Sequence, residues 1–269
     1  MKAWQIFTHS VRQVFGNMEA AVRVSGVLYL AQVLVQFAIL GSLLSLSEAE
    51  RQAMIESGRF PWSGMLIFLL VAVVGSLWIA VGWHRYVLTE ERPGIVPPFH
   101  GDRILGYFGK GLLIGLILAI PAVIAGAIAG GVAAAFIHPS SGGGVNIVAI
   151  TLATYLVLLP IGALLMRLST MLPGAALRAG VPILSGWEAT KGETGTFFAL
   201  VVIWAVIAGL IQVIGAYAFG SLSILALVWQ VVSEWVILMV GISILTTLYG
   251  HYIEKRPLVS GQIDTNVFD

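Results

Sequence analysis

Residues 222–248 read LSILALVWQVVSEWVILMVGISILTTL, an apolar run interrupted by a single carboxylate, Glu234. A helix of this length spans the roughly 30 Å hydrocarbon core of a bilayer, at about 1.5 Å per residue. A glutamate at membrane depth is expensive, so Glu234 is the position that asks for an explanation. The rest of the chain repeats the apolar theme. Of 269 residues, 58% are hydrophobic and 10% charged, against roughly 25% charged in soluble domains. Mean hydropathy is +0.96. A soluble fold of this size could not hide so much apolar surface. The reading is an all-α polytopic membrane bundle with six transmembrane helices and amphipathic interfacial helices, in one domain over residues 1–256 with a polar tail at 257–269.

Working outward from the last span, the others fall at about 24–45, 64–86, 111–137, 145–168 and 196–219, with the sixth at 222–249. Before the first span, Trp4, Phe7, Val11, Val14 and Phe15 recur at helical spacing, which predicts an interfacial helix over 4–17. The apolar run begins only near Val24 and is about twice the length of a secretory core, so this start is not expected to be a signal peptide. Ser47-Glu48-Ala49-Glu50 has the capping-box form and predicts a short helix that Gly58 ends. Pro93, Pro97 and Pro98 predict an irregular loop. Pro121 and Pro160 should kink the third and fourth spans. Gly126, Gly130 and Gly131 suggest a face for close helix contact. Residues 173–187 are moderately apolar and are expected along the surface. Gly142 to Gly144 is a turn without a lysine, not a phosphate cradle.

Charge fixes an orientation. One side receives Lys2, Arg12, Arg23, Arg85, Arg92, Arg103, Lys110, Arg167, Arg178, Lys191, Lys255 and Arg256, and the other only Arg51 and Arg59, out of 14 Lys and Arg. This predicts both termini cytoplasmic in a bacterial inner membrane. The chain also divides into three units, each a polar lead-in, an outward span, a turn and an inward span ending in basic residues. The first and third end alike, with His84-Arg85-Tyr86 and Glu91-Arg92-Pro93 against His251-Tyr252 and Glu254-Lys255-Arg256-Pro257, but only with a gap of about one helical turn. The units are parallel, unlike the inverted repeats of many transporters.

Counted from span ends, Gln32, Gln36, Ser76 and Tyr155 lie near the depth of Glu234, with Gln230 and Gln212 slightly outward. This candidate intramembrane polar cluster holds no cation, so a raised pKa is expected for Glu234. Three readings stay open: a proton-carrying or ligand-binding group, a neutral acid bonded to glutamine for packing, or a contact with a partner subunit. No second intramembrane acid or histidine is available for a relay. Arg85, Arg103, Lys110, Arg167, Arg178 and Lys191, with Trp83, Tyr107 and Trp187 nearby, are candidates for binding anionic lipid headgroups or a phosphorylated ligand. The alternative is that they only set topology.

Catalytic and metal motifs are missing. His9, His84, His100, His138 and His251 are scattered, and no HExxH, G-x-S-x-G, P-loop or dinucleotide pattern occurs. The absence of cysteine excludes disulfides and thiolate chemistry. His100 and Asp102 beside Arg103 read as a loop feature. Dispersed charges give no support for nucleic acid. Expected partners are the lipid bilayer, anionic phospholipids, and a membrane protein or a second copy of the chain. No cofactor or metal is expected.

Phe7-Thr8-His9-Ser10 through Asn17, Trp83-His84-Arg85-Tyr86 with Glu90-Glu91, and Arg167-Leu168-Ser169 with Leu172-Pro173-Gly174-Ala175-Ala176 carry a resemblance. The chain resembles bacterial six-helix inner-membrane proteins of the YciC-like type, alphaproteobacterial ones among them, and the membrane part of some glycerophosphodiester phosphodiesterases. That resemblance implies no mechanism, and no hydrolase activity without a soluble domain. The expected function is a non-enzymatic accessory or scaffold component of a membrane assembly. The alternative is a small-solute or lipid transporter, proton-coupled through Glu234.

Overall fold

The computed structural model describes residues 2–44, 46–135, 147–177, 182, 184–219 and 223–258. Arg178, His138, the turns at 139–144 and 220–221, both span ends facing the first of those turns, and most of the tail lie outside the described residues. Within them the chain is all helix. Six helices are long and apolar enough to cross a membrane, so the protein is a multi-pass membrane protein in contact with the bilayer.

The first helix, α1 (Lys2–Phe15), is amphipathic, with Ala3, Ile6, Phe7, Ser10 and Val14 buried along one stripe. That stripe does not face lipid. It packs on the last two helices, while Trp4 and Phe15 point outward. After Gly16 and Asn17 the chain re-enters helix at once, so α2 (Met18–Leu44) starts earlier than hydropathy implies. In α3 (Glu48–Glu56) the expected capping box forms, with the Ser47 side chain accepting from the Glu50 N–H and the Glu50 carboxylate accepting from the Ser47 N–H. Its end is a Schellman motif: Gly58, at φ 69°, donates to the Ile55 carbonyl and Arg59 to the Met54 carbonyl.

The second span is α4 (Trp62–Thr89). The proline-rich segment after it folds back along the helix, and Trp78 Nε1 donates to the carbonyls of Pro97 and Pro98 at 3.1 and 3.2 Å. Lead-in and third span then form one helix of 35 residues, α5 (Gly101–Ala135), which runs on through Pro121. It packs chiefly on α6 (Ile147–Ser169), which likewise continues through Pro160. Gly126, Gly130 and Gly131 do not form the expected close contact: a Cβ at any of them would meet nothing within 4 Å among the described residues, whereas Ala125 and Ala129 are buried.

The segment after α6 departs from expectation. It forms α7 (Leu172–Leu177), whose residues Leu172 to Ala176 are buried against α4, α5 and the last helix. Small apolar side chains make this a tight plug rather than a surface strap. Next comes α8 (Ser185–Ala189), seated on the backbone where α6 ends, and a Cβ at Gly186 would lie 3.0 Å from the Arg167 carbonyl. The fifth and sixth spans are α9 (Thr194–Phe219) and α10 (Ile224–Tyr252). Gly215 lets them approach, because the Trp229 ring occupies the place of a Cβ there. The helix α10 touches α1, α2, α4, α7, α8 and α9. Its second half is buried and its first half is open.

Candidate functional site

Glu234 lies ten residues into α10, about 15 Å from its start. Ser233 beside it is buried, but Glu234 is only half-buried and Gln230 is exposed. One helical turn separates the two, and Gln230 Nε2 donates to Glu234 Oε1 at 3.1 Å. The pair therefore sits on the outer surface of the bundle. Beside it α2 and α10 meet: Tyr29 donates its hydroxyl to the Val231 carbonyl at 2.8 Å, and Trp235 Nε1 donates to Ser25 Oγ at 2.8 Å. These bonds frame a shallow apolar groove of about 190 Å³, lined by Gly26, Tyr29, Leu30, Val231, Val232 and Trp235. Tyr29 is within electrostatic reach of Glu234.

The other residues of the expected polar cluster are distributed around the bundle. Gln32 is buried between α2 and α4, where its Oε1 accepts from the Ser76 hydroxyl at 3.4 Å. Its Nε2 lies against Gly75 and has no acceptor among the described residues. Gln36 is half-buried on α2, while Gln212 on α9 and Tyr155 on α6 are exposed. The structure thus brings Gln230 to Glu234 and Ser76 to Gln32, as two separate pairs.

A second polar group was not anticipated. His84, expected at the exit of the second span, is wholly buried. Its Nδ1 lies 2.8 Å from Thr246 Oγ1 and its Nε2 3.2 Å from the Tyr107 hydroxyl, whose ring stacks on it. The Thr246 hydroxyl donates to the Ile242 carbonyl at 3.0 Å. With that proton committed, its oxygen accepts from Nδ1–H, and a neutral ring then takes the Tyr107 proton at Nε2. On the adjoining face of α10, Ser10 donates to Thr247 at 2.9 Å and Ser243 to Gln13 Oε1 at 2.6 Å. Adjacent threonines, Thr246 and Thr247, thus bind α4 on one side, and through His84 reach α5, and α1 on the other. The Thr-Thr pair at the end of an apolar run was the available sequence signal.

The expected headgroup-binding cations have diverse surroundings. Arg85 Nε donates to Glu91 Oε2 at 2.6 Å and its Nη1 to the Ala176 carbonyl at 3.3 Å, tying α4 to α7. His100 Nε2 donates to the other Glu91 oxygen at 2.7 Å. Burial pushes the Glu91 carboxyl up, but the bonds from His100 and Arg85 outweigh it and hold the group below its ordinary value. Arg167 is buried and has no carboxylate partner among the described residues. It donates to the hydroxyls of Thr190 and Thr194 and to the carbonyls of Trp187 and Thr190, and its guanidinium lies 3.7 Å from the Trp187 ring centroid. Arg103 pairs with Asp102, Lys110 is half-buried, and Lys191 is exposed. Arg178 lies outside the described residues.

Two further ties close this basic end. Lys2 Nζ donates to Glu193 Oε1 at 2.6 Å, and Arg256 Nη2 to the Leu88 carbonyl at 3.1 Å. The Lys2 ammonium and the Thr196 hydroxyl hold the Glu193 carboxyl below its ordinary value. Among the described residues, no group of three His, Asp or Glu side chains comes together to hold a metal. No protein-family profile, no curated protein and no solved structure matches the chain. The six-span architecture therefore stands without an identified family.

Proposed function

We propose that the protein is a non-enzymatic accessory or scaffold component of a membrane assembly, and that the α2–α10 face is where its partner sits. The observation that carries this reading is the position of the Gln230–Glu234 pair. A carboxylate and an amide on the outside of a span at this depth cost a few kcal/mol against lipid. A partner helix that offers a hydrogen-bond donor removes most of that cost. The groove beside the pair is apolar, which suits a helix side chain better than a solute path. The basic end, with its excess of Lys and Arg, is assigned to the cytoplasmic side of a bacterial inner membrane.

The test is site-specific photo-crosslinking in intact membranes. A photoreactive residue at Val232, on the groove, should give one discrete adduct. The same residue at Val206, on the open surface of α9, should not. Gln230→Leu with Glu234→Leu should abolish the Val232 adduct while the protein still inserts and accumulates. A Val232 position that crosslinks only to lipid, or an adduct indifferent to the double substitution, overturns the reading.

A further inference from the structure

The elbow between α1 and α2 leaves a second cleft, lined by residues other than those around Arg167. Its volume is about 560 Å³, within the roughly 300–1,000 Å³ range of small-molecule pockets, and its walls are polar. Gly16, Asn17, Glu19 and Arg23 form one wall, with Tyr86 and Arg92 on the other. We propose that this cleft binds a phosphodiester group, supplied by the headgroup of an anionic phospholipid.

Charge is the first argument. The cleft holds two guanidinium groups and one carboxylate, a surplus of one positive charge, which a phosphodiester monoanion balances. Arg23 gives its Nε and Nη2 to a single oxygen of Glu19, at 3.1 and 2.8 Å, which leaves Nη1 available. Arg92 is exposed and has no ion pair among the described residues. Planar guanidinium groups suit phosphate oxygens better than ammonium groups do.

Depth is the second argument. With 27 residues, α2 is about 40 Å long, roughly 10 Å more than the hydrocarbon core. Arg23 lies about 7.5 Å from the start of α2, within that excess. Tyr86 reaches the same level from α4 and fixes the wall by donating its hydroxyl to Asn17 Oδ1 at 3.1 Å. Exposed Phe15, Met18 and Val22 flank the elbow, an apolar border on which acyl chains can lie. A free phosphate would use the guanidinium groups but not that border.

Native mass spectrometry of the intact detergent-purified protein tests this, with phosphatidylglycerol, phosphatidylcholine and inorganic phosphate as probes. The wild type should retain phosphatidylglycerol in preference to phosphatidylcholine. Arg23→Gln and Arg92→Gln should each weaken that preference by about fivefold, the value of one charge near a membrane surface. Glu19→Gln should strengthen it, because Arg23 is released, and Arg59→Gln, at the other end of the bundle, should leave it unchanged. Helical content and thermal midpoint without added lipid check that each variant is folded. Unchanged preference in folded Arg92→Gln, or weaker binding in Glu19→Gln, overturns the site. Inorganic phosphate displacing the lipid at equal concentration overturns the assignment to a headgroup.

Discussion

The two ends of this bundle are built differently. At the basic end, Leu248 and Trp83 are fully buried, and basic side chains bond groups far away in sequence: Lys2 the Glu193 carboxylate, Arg85 the Ala176 carbonyl and Arg256 the Leu88 carbonyl. At the other end Ile224 is 76% exposed and Ile120 and Val123 are 72% exposed. There the described polar contacts stay within one element or join sequence neighbours, as in the Ser47–Glu50 box and the Trp229 Nε1 bond from α10 to the Ile211 carbonyl of α9. Both ends are apolar enough for a membrane. They differ in what the apolar groups meet, which is protein at one end and the surroundings at the other. Polar groups fall where the helices have already closed, so buried hydrogen bonds can fix their relative rotation. The Gln230–Glu234 pair lies where that closure has given way, and this is why it faces outward.

The comparison can be broken most strongly at His84. His84→Ala empties a fully buried site, strands the Tyr107 hydroxyl and takes from the Thr246 oxygen the donor it accepts from. A loss of about 3–5 kcal/mol is expected, read as a large fall in the thermal midpoint in detergent. Arg167→Met comes next. It retains the volume but removes the guanidinium hydrogen bonds to the Thr190 and Thr194 hydroxyls and the Trp187 and Thr190 carbonyls, at a cost of about 2–3 kcal/mol, and α8 should become the first site of proteolysis. Arg59→Ala, the matching loss of a charge at the open end, should change the midpoint little.

Acid should loosen the basic end selectively. The folded-state pKa of Glu91 is lowered relative to the unfolded chain. The stabilisation is therefore full above the unfolded value, about 4.3, and is lost as pH falls through the folded one. Glu193 contributes with the same sign. Hydrogen exchange at α4 and α7 should rise below about pH 4 in the wild type. Glu91→Gln should already be faster at neutral pH and should respond less to acid. The smallest effect is expected at Ser47→Ala, which removes the cap of α3 at a local cost of about 1 kcal/mol. Exchange within α3 should rise while the global midpoint holds.

Hydropathy made the six spans legible, and local chemistry made the α3 cap, its glycine stop and the proline loop legible. These depend on neighbours in sequence. Azimuth was not legible. Counting along a span gives an expected depth, but it does not give rotation about the helix axis, and Gln32 turns to Ser76 on α4 rather than to Glu234. The same limit hid His84, whose partners are 23 and 162 residues away. Leu172 to Ala176 looked like surface because small apolar residues suit an interface and a tight core equally. The glycines of α5 meet no described neighbour, and glycine permits close approach without requiring it. Of the expected sites, the i, i+4 bond from Gln230 to Glu234 was within reach of sequence, and the α1–α2 cleft, made by an elbow and a distant loop, was not.

The seat of α1 sets an order of assembly. Ser10 bonds Thr247, 237 residues later, and Lys2 bonds Glu193. At roughly 5–20 residues per second of synthesis, the first helix waits about ten to fifty seconds for the last to be made. An amphipathic helix in that interval lies along the headgroups. The chain's opening segment therefore begins as a membrane-surface helix and ends as the keystone of the bundle, so completion of the fold is signalled by its departure from the lipid.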